Sequence, residues 1–255
     1  MSAMADEQRH LDRGWLTQHL AEERHEADLL GEIREAIFGA QDGVTSILIV
    51  VITVATATTS SYAVLIAGIA AAIAEIISMA AGEFMSSRSQ RQLFLAQIER
   101  ERDEVRDRPG ESEAEVALLL EQEGLDAAAA KRIAAELAQQ PSVLLKTMVE
   151  KELGITVEAG PSALQGALVL AVTFAFAALV PIAPFFFLAV PTAMMTSIAL
   201  SAVAMFILGV VKGRVVGANP IVSGLEIVAL VAFASLGGYV VGGLLPRALG
   251  APSAP

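Results

Sequence analysis

The sequence predicts an all-α integral membrane protein with five transmembrane helices and a cytoplasmic domain of three to four helices inserted between spans 2 and 3. Three observations predict it. Of 255 residues, 55% are hydrophobic and only 18% charged, with a mean hydropathy of +0.60; soluble domains run nearer ~45–50% and ~25%. The charges are clumped, so that residues 159–211 carry none. Residues 37–85 carry three, Asp42, Glu75 and Glu83. A helix crossing a bilayer needs about 20 apolar residues, and uncharged runs this long exceed what a soluble core hides.

The spans follow in order. The polar cluster Thr56–Ser61 (TATTSS) makes a turn within 37–85, giving a first span near 36–57 and a second near 62–85. Pro181, Pro184 and Pro191 disfavour one unbroken helix through 159–211, giving spans near 163–183 and 190–211. A last span near 221–244 is opened by Pro220 and closed by Pro246. Five spans cannot be halved into equal inverted repeats.

Lysine and arginine mark the cytoplasmic side of a membrane protein. With the N-terminus inside, segments 1–36, 86–162 and 212–219 hold 16 of the 17 basic residues, leaving Arg247 outside. The organisation is then an N-terminal amphipathic segment 1–35, spans 36–85, a helical domain 86–162, spans 163–246 and a non-cytoplasmic tail 247–255. The N-terminal segment sets Trp15, Leu16, Leu20, Leu29 and Leu30 among charges and reads as a lead-in at the membrane surface. In 86–162, Arg88–Arg108 continues the second span until Pro109-Gly110. Helices follow near 112–123, 126–139 (with Asp126 as N-cap) and 141–153, the first and last ended by Gly124 and Gly154.

Several functions are disfavoured. With no cysteine there is no disulfide framework, CxxC pair or thiolate metal site. A net charge of −11 disfavours nucleic acid. His10, His19 and His25 show no zinc spacing or HExxH pattern. Neither a P-loop, a GxGxxG nor a Ser-His-Asp order suggests an enzyme, and residues 1–36 carry no apolar signal-peptide core. This composition is compatible with a bacterial inner membrane.

Asp42, Glu75 and Glu83 are forced to membrane depth or its edge. A carboxylate there costs about 2.5–3.5 kcal/mol even on the lenient insertion scale, and residues 37–85 hold no lysine or arginine to pair with it. Such groups bind protons or a cation. Asp42 lies about six residues inside the first span, or ~9 Å, level with Met79 in the second. Glu75, Met79 and Glu83 share one helix face at i, i+4, i+8 spacing. Carboxylates with a thioether suit a borderline divalent transition metal. Ordinary structural readings stand beside this one: Glu83 solvated at the headgroups, Met79 as packing, Asp42-Gly43 as a kink. Glu226, in the last span, reads first as snorkelling or interfacial, and a proton relay is the less supported alternative.

In the cytoplasmic helices, Glu99, Glu101, Asp103 and Glu104 interleave with Arg100, Arg102, Arg106 and Arg108. A solvated helix with i, i+4 pairs such as Arg100–Glu104 and Glu104–Arg108 explains this pattern. Met148 and Glu152 share a face, which allows a metal site or, for Met148, simple core packing.

Phe38-Gly39-Ala40-Gln41-Asp42-Gly43-Val44-Thr45-Ser46 resembles the GAxDGxxS signature of the vacuolar iron transporter family, and Ser78-Met79-Ala80-Ala81-Gly82-Glu83-Phe84-Met85-Ser86 its SMAxGEYxS signature. Leu208-Gly209-Val210-Val211-Lys212-Gly213-Arg214 is similar to its LGxxKGR, and Glu152-Leu153-Gly154 to the end of its cytoplasmic domain. The resemblance implies a homodimer of five-span subunits exporting Fe²⁺, sometimes Mn²⁺, from the cytosol in exchange for protons. It implies a path through Asp42, Met79 and Glu83 at the dimer interface. It also implies metal collection by Glu101, Glu104, Glu115, Met148 and Glu152. The family's second glutamate, three residues from Glu115, is missing, so the soluble site is either reduced or recruits Glu111 or Glu113. Glu75 stands where the family has a small residue.

The expectation is therefore a proton-coupled exporter of ferrous iron (Mn²⁺, Co²⁺ and Zn²⁺ unranked). Asp42 or Glu75 would take the proton that releases the metal, because H⁺ and M²⁺ compete for the same carboxylates. A metal-responsive scaffold or sensor without transport, and a passive divalent-cation channel, are the alternatives.

Overall fold

The computed structural model describes residues 12–154 and 162–248, and all their regular elements are helices. His10, residues 155–161 and the tail beyond Ala248 lie outside the described residues. In chain order the helices are α1 (Arg13–Ala57), α2 (Ser61–Asp107), α3 (Pro109–Gln122), α4 (Ala127–Ala138), α5 (Pro141–Glu152), α6 (Ala163–Ile182), α7 (Pro184–Phe187), α8 (Val190–Val215) and α9 (Pro220–Ala248). Five of them, α1, α2, α6, α8 and α9, are long and apolar enough to cross a membrane.

The breaks fall at residues that cannot continue a helix. Thr58–Ser60 separates α1 from α2, where Thr58 is extended and Ser60 Oγ accepts from the Ala63 N–H. Pro109 takes the first position of α3, where a missing N–H costs nothing. Asp126 caps α4, accepting from the N–H groups of Ala128 at 3.0 Å and Ala129 at 3.1 Å. Gly124 and Gly154 leave their helices at φ 107° and 62°, a region where a side chain is strained. Pro181 stays inside α6, and the chain turns instead through the short α7. Helix α1 runs unbroken from Arg13, so residues 13–35 are helical and continuous with the first span.

The chain forms two units, Met1–Phe84 with Leu164–Pro255, and Met85–Ala163. In the first, α8 and α9 pack extensively on one another and on α1. Ile47, Leu48, Val51, Phe174, Phe185, Met205 and Ile227 fill its core. Its outward faces are apolar too: Phe176, Leu179, Phe187 and Phe233 are exposed. Lipid-facing helices are as apolar outside as inside, so close backbone approach and side-chain hydrogen bonds hold them together. Ser197 Oγ on α8 donates to the Pro181 carbonyl at 2.8 Å. In the second unit, α3, α4 and α5 pack pairwise around Val105, Val116, Leu120, Ala130, Leu144 and Met148.

Candidate metal pathway and collecting site

Asp42 sits half-buried on α1 between two glycines that let α1 approach α6. A Cβ on Gly39 would lie 2.4 Å from Thr173 Oγ1 and 2.7 Å from the Leu170 carbonyl oxygen. One on Gly43 would lie 2.7 Å from the carbonyl oxygen of Phe174. The glycines of the first signature therefore have a packing role, and they hold the Asp42 turn against α6. Gly82, in the second signature, has nothing within 4 Å of its Cβ position, so no packing in this chain accounts for it.

Glu75, Met79 and Glu83 are all half-buried on α2, and Met79 packs against the membrane core. Glu75 and Glu83 are eight residues apart on one helix, about 12 Å by rise. Asp42, Glu75 and Glu83 are accordingly not gathered into a group of three with mutually adjacent oxygens. Glu83 also has a cation near it. Arg34, one turn before the first span, is held above its ordinary pKa first by its bond to Glu35 and also by the charge of Glu83. Glu35 is buried, and a Cβ on Gly166 would lie 3.8 Å from Glu83 Oε1 and 4.0 Å from Glu35 Cγ. The hairpin 37–85 has no basic residue, as the sequence states, but the unit supplies one from just outside it. Sequence reasoning missed Glu35. Its signal was its place two turns before Asp42 on the same helix face. Glu226 is exposed on α9, two turns beyond the Asn219 cap.

In the second unit, Glu104, Glu111 and Glu115 each offer a carboxylate oxygen within 4.8 Å of the others. Glu104 comes from α2 and the other two from α3, joined by the turn at Arg108. The carboxyl of Glu115 is held above its ordinary range by burial first, then by the charges of Glu104, Glu152 and Glu111, with Arg108 opposing. That of Glu101 is raised by burial first, then by Glu152, Glu104 and Glu115. Glu101 and Glu115 thus each lie within electrostatic reach of Glu104 and Glu152 and of one another, four residues that the family resemblance had named. Glu111 joins them through its contact with Glu104 and Glu115, and Glu113 is not in that group.

Arg108 is the counterion of this group. Its Nη1 donates to Glu111 Oε2 at 2.7 Å, and its Nη2 lies 3.5 Å from Glu104 Oε2. The expected Glu104–Arg108 pair is present. The expected Arg100–Glu104 pair is not; Arg102 pairs with Glu99 and Arg106 with Asp103. Met148 is fully buried among Val105, Val116 and Leu144, the packing position that the sequence left open to it. His19 stacks on Trp15 and lies 3.3 Å from Glu23, and His25 is exposed.

Hard oxygen donors bind a divalent cation in competition with protons, and in this group Glu101 and Glu115 hold their protons above the ordinary range. Comparison with known proteins adds identity to this geometry. The sequence profile of the VIT family matches residues 33–243. A protein of Tulipa gesneriana named vacuolar iron transporter 1 is 31% identical over 210 residues, covering 82% of this chain and 85% of the relative. Proteins of the same name from Oryza sativa subsp. japonica and Arabidopsis thaliana are 30% and 31% identical. They match 88% and 82% of this chain, and 88% and 84% of their own lengths.

Proposed function

The chain belongs to the VIT family, and from that membership we propose that it carries ferrous iron, with Mn²⁺ and other divalent transition metals as unranked alternatives, out of the cytosol in exchange for protons. The observation that carries this reading is the convergence of Glu104, Glu111 and Glu115 on one another, with Glu101 and Glu152 in electrostatic reach. Metal is collected by these carboxylates and handed to Asp42 and Met79 at membrane depth. Glu75 and Glu83 line the same route. A proton arriving from the far side at Asp42 or Glu75 neutralises the ligand and releases the metal. The N-terminus and residues 86–162 face the cytosol, on the distribution of basic residues.

The path is completed by a second copy of the chain. Gly82, next to Glu83, has open space around it in one copy, which leaves room there for a second.

The test is Fe²⁺ flux into proteoliposomes with and without an opposing pH gradient. Wild type is expected to move Fe²⁺ faster with the gradient, and Asp42→Asn to lose at least tenfold of that flux, about 1.4 kcal/mol or more in the rate-limiting step. Equal flux under both conditions overturns proton coupling, and full flux in Asp42→Asn overturns the pathway.

A further inference from the structure

A cavity of about 430 Å³ opens beside the end of α8, between it and the first span. Its walls are apolar, with Leu30, Ile33, Phe38 and Val215 contributing, and two cations, Arg34 and Lys212, stand on the same lining. Its size falls in the range of small-molecule sites, about 300–1,000 Å³. Lys212 lies in the last turn of α8, half-buried, and has no ion pair or side-chain hydrogen bond among the described residues. Arg34 is only partly engaged: Nε and Nη2 both donate to Glu35 Oε1, at 3.2 and 2.5 Å. Its Nη1 donors are left over, since a guanidinium carries five N–H groups. Gln41, two turns deeper, adds an amide to the same wall.

We propose that this cavity is a binding site for an anionic phospholipid, with Lys212 and Arg34 on the phosphate and the apolar walls around the glycerol and first acyl carbons. The charge pattern selects this occupant. A divalent cation is repelled by Lys212, and Arg34, already paired with Glu35, offers it no ligand. A neutral lipid leaves Lys212 without a full counter-charge, and free phosphate makes no use of the apolar wall. Both cations stand at the ends of spans, where long basic side chains reach headgroups without leaving the helix. The site is separate from the carboxylates proposed to carry metal, and it stands whether or not transport is proton-coupled.

The experiment follows thermal unfolding of the delipidated full-length protein in neutral detergent. Phosphatidylglycerol, phosphatidylcholine or soluble glycerol 3-phosphate is titrated in. Phosphatidylglycerol is expected to raise the midpoint by roughly 2–4 °C more than phosphatidylcholine. Glycerol 3-phosphate at millimolar concentration is expected to leave it unchanged. Lys212→Gln and Arg34→Gln each weaken the apparent affinity for phosphatidylglycerol about fivefold, the effect of one basic side chain near a lipid surface. Lys212→Arg keeps it. Val215→Trp, which fills the cavity without touching a charge, also loses the shift and covers the case in which the glutamine variants do not fold. Equal shifts with both lipids overturn the proposal, as does a full glycerol 3-phosphate response or an unaltered response in Lys212→Gln. If Val215→Trp lowers the oligomeric mass by light scattering and leaves the phosphatidylglycerol shift intact, a second copy covers the cavity and the lipid site is refuted.

Discussion

Gly43 and Phe174 meet so closely that a Cβ on the glycine would stand 2.7 Å from the phenylalanine's carbonyl oxygen and 3.0 Å from Ala177 Cβ. Backbone cannot yield there as a flexible side chain can. Gly43→Ala is expected to push α1 from α6 and cost about 1–3 kcal/mol of stability. Thermal unfolding in detergent measures it. Gly82→Ala is the control: it meets nothing, and its effect on one copy's stability stays within about 1 kcal/mol of neutral.

Arg108 competes with any metal for Glu104 and Glu111. Arg108→Gln removes that competitor. The expected result is tighter Mn²⁺ binding, roughly threefold to fivefold, since ion pairs this exposed are worth up to about 1 kcal/mol. Isothermal titration at near-neutral pH reads it. Weaker binding in the variant would show instead that the arginine organises the carboxylates for metal.

Acidification acts on this group in two opposite ways. Glu101 and Glu115 hold protons more tightly in the fold than the ordinary value of 4.5. Between that value and their raised one, the folded chain binds more protons than the unfolded chain. Their contribution to stability therefore falls as pH rises through that window and returns as pH drops. Metal affinity runs the other way, because the cation needs ionised carboxylates. Added Mn²⁺ should raise the unfolding temperature more at about pH 7.5 than at about pH 5. Glu115→Gln flattens both dependences. A metal-induced shift that does not change with pH would contradict the carboxylate site.

Met148 separates packing from ligation. It is wholly buried, so Met148→Ala is expected to destabilise the protein by about 2–5 kcal/mol. Met148→Leu keeps the volume and costs under ~1.5 kcal/mol, while deleting the sulfur. Retained Mn²⁺ affinity in the leucine variant makes Met148 the floor beneath the carboxylates. A drop of tenfold or more makes it a ligand.

The five membrane helices were readable because lipid imposes length and apolarity on each. The ends at Pro109, Gly124, Asp126 and Gly154 were readable because each residue has one local reason to stop or start a helix. The amphipathic pattern of residues 13–35 was readable too, but not that their helix joins the first span without a break. Of the carboxylate cluster, Glu104 and Glu115 were visible through the family resemblance. The choice of Glu111 over Glu113 depends on how α3 is rotated about its axis after the Arg108 turn, which a linear pattern does not encode. Arg34 and Glu35 escaped notice because they sit one turn before the apolar stretch that drew attention to its own acids.

The chain changes direction at Arg108, between Glu104 at the close of one helix and Glu111 at the opening of the next. A cation bridging those two side chains therefore spans a corner and not a straight rod. Capturing the ion and stiffening the bend become the same event. The amide hydrogens of residues 110–112 should exchange more slowly once the ion is held, giving this elbow a fingerprint of occupancy.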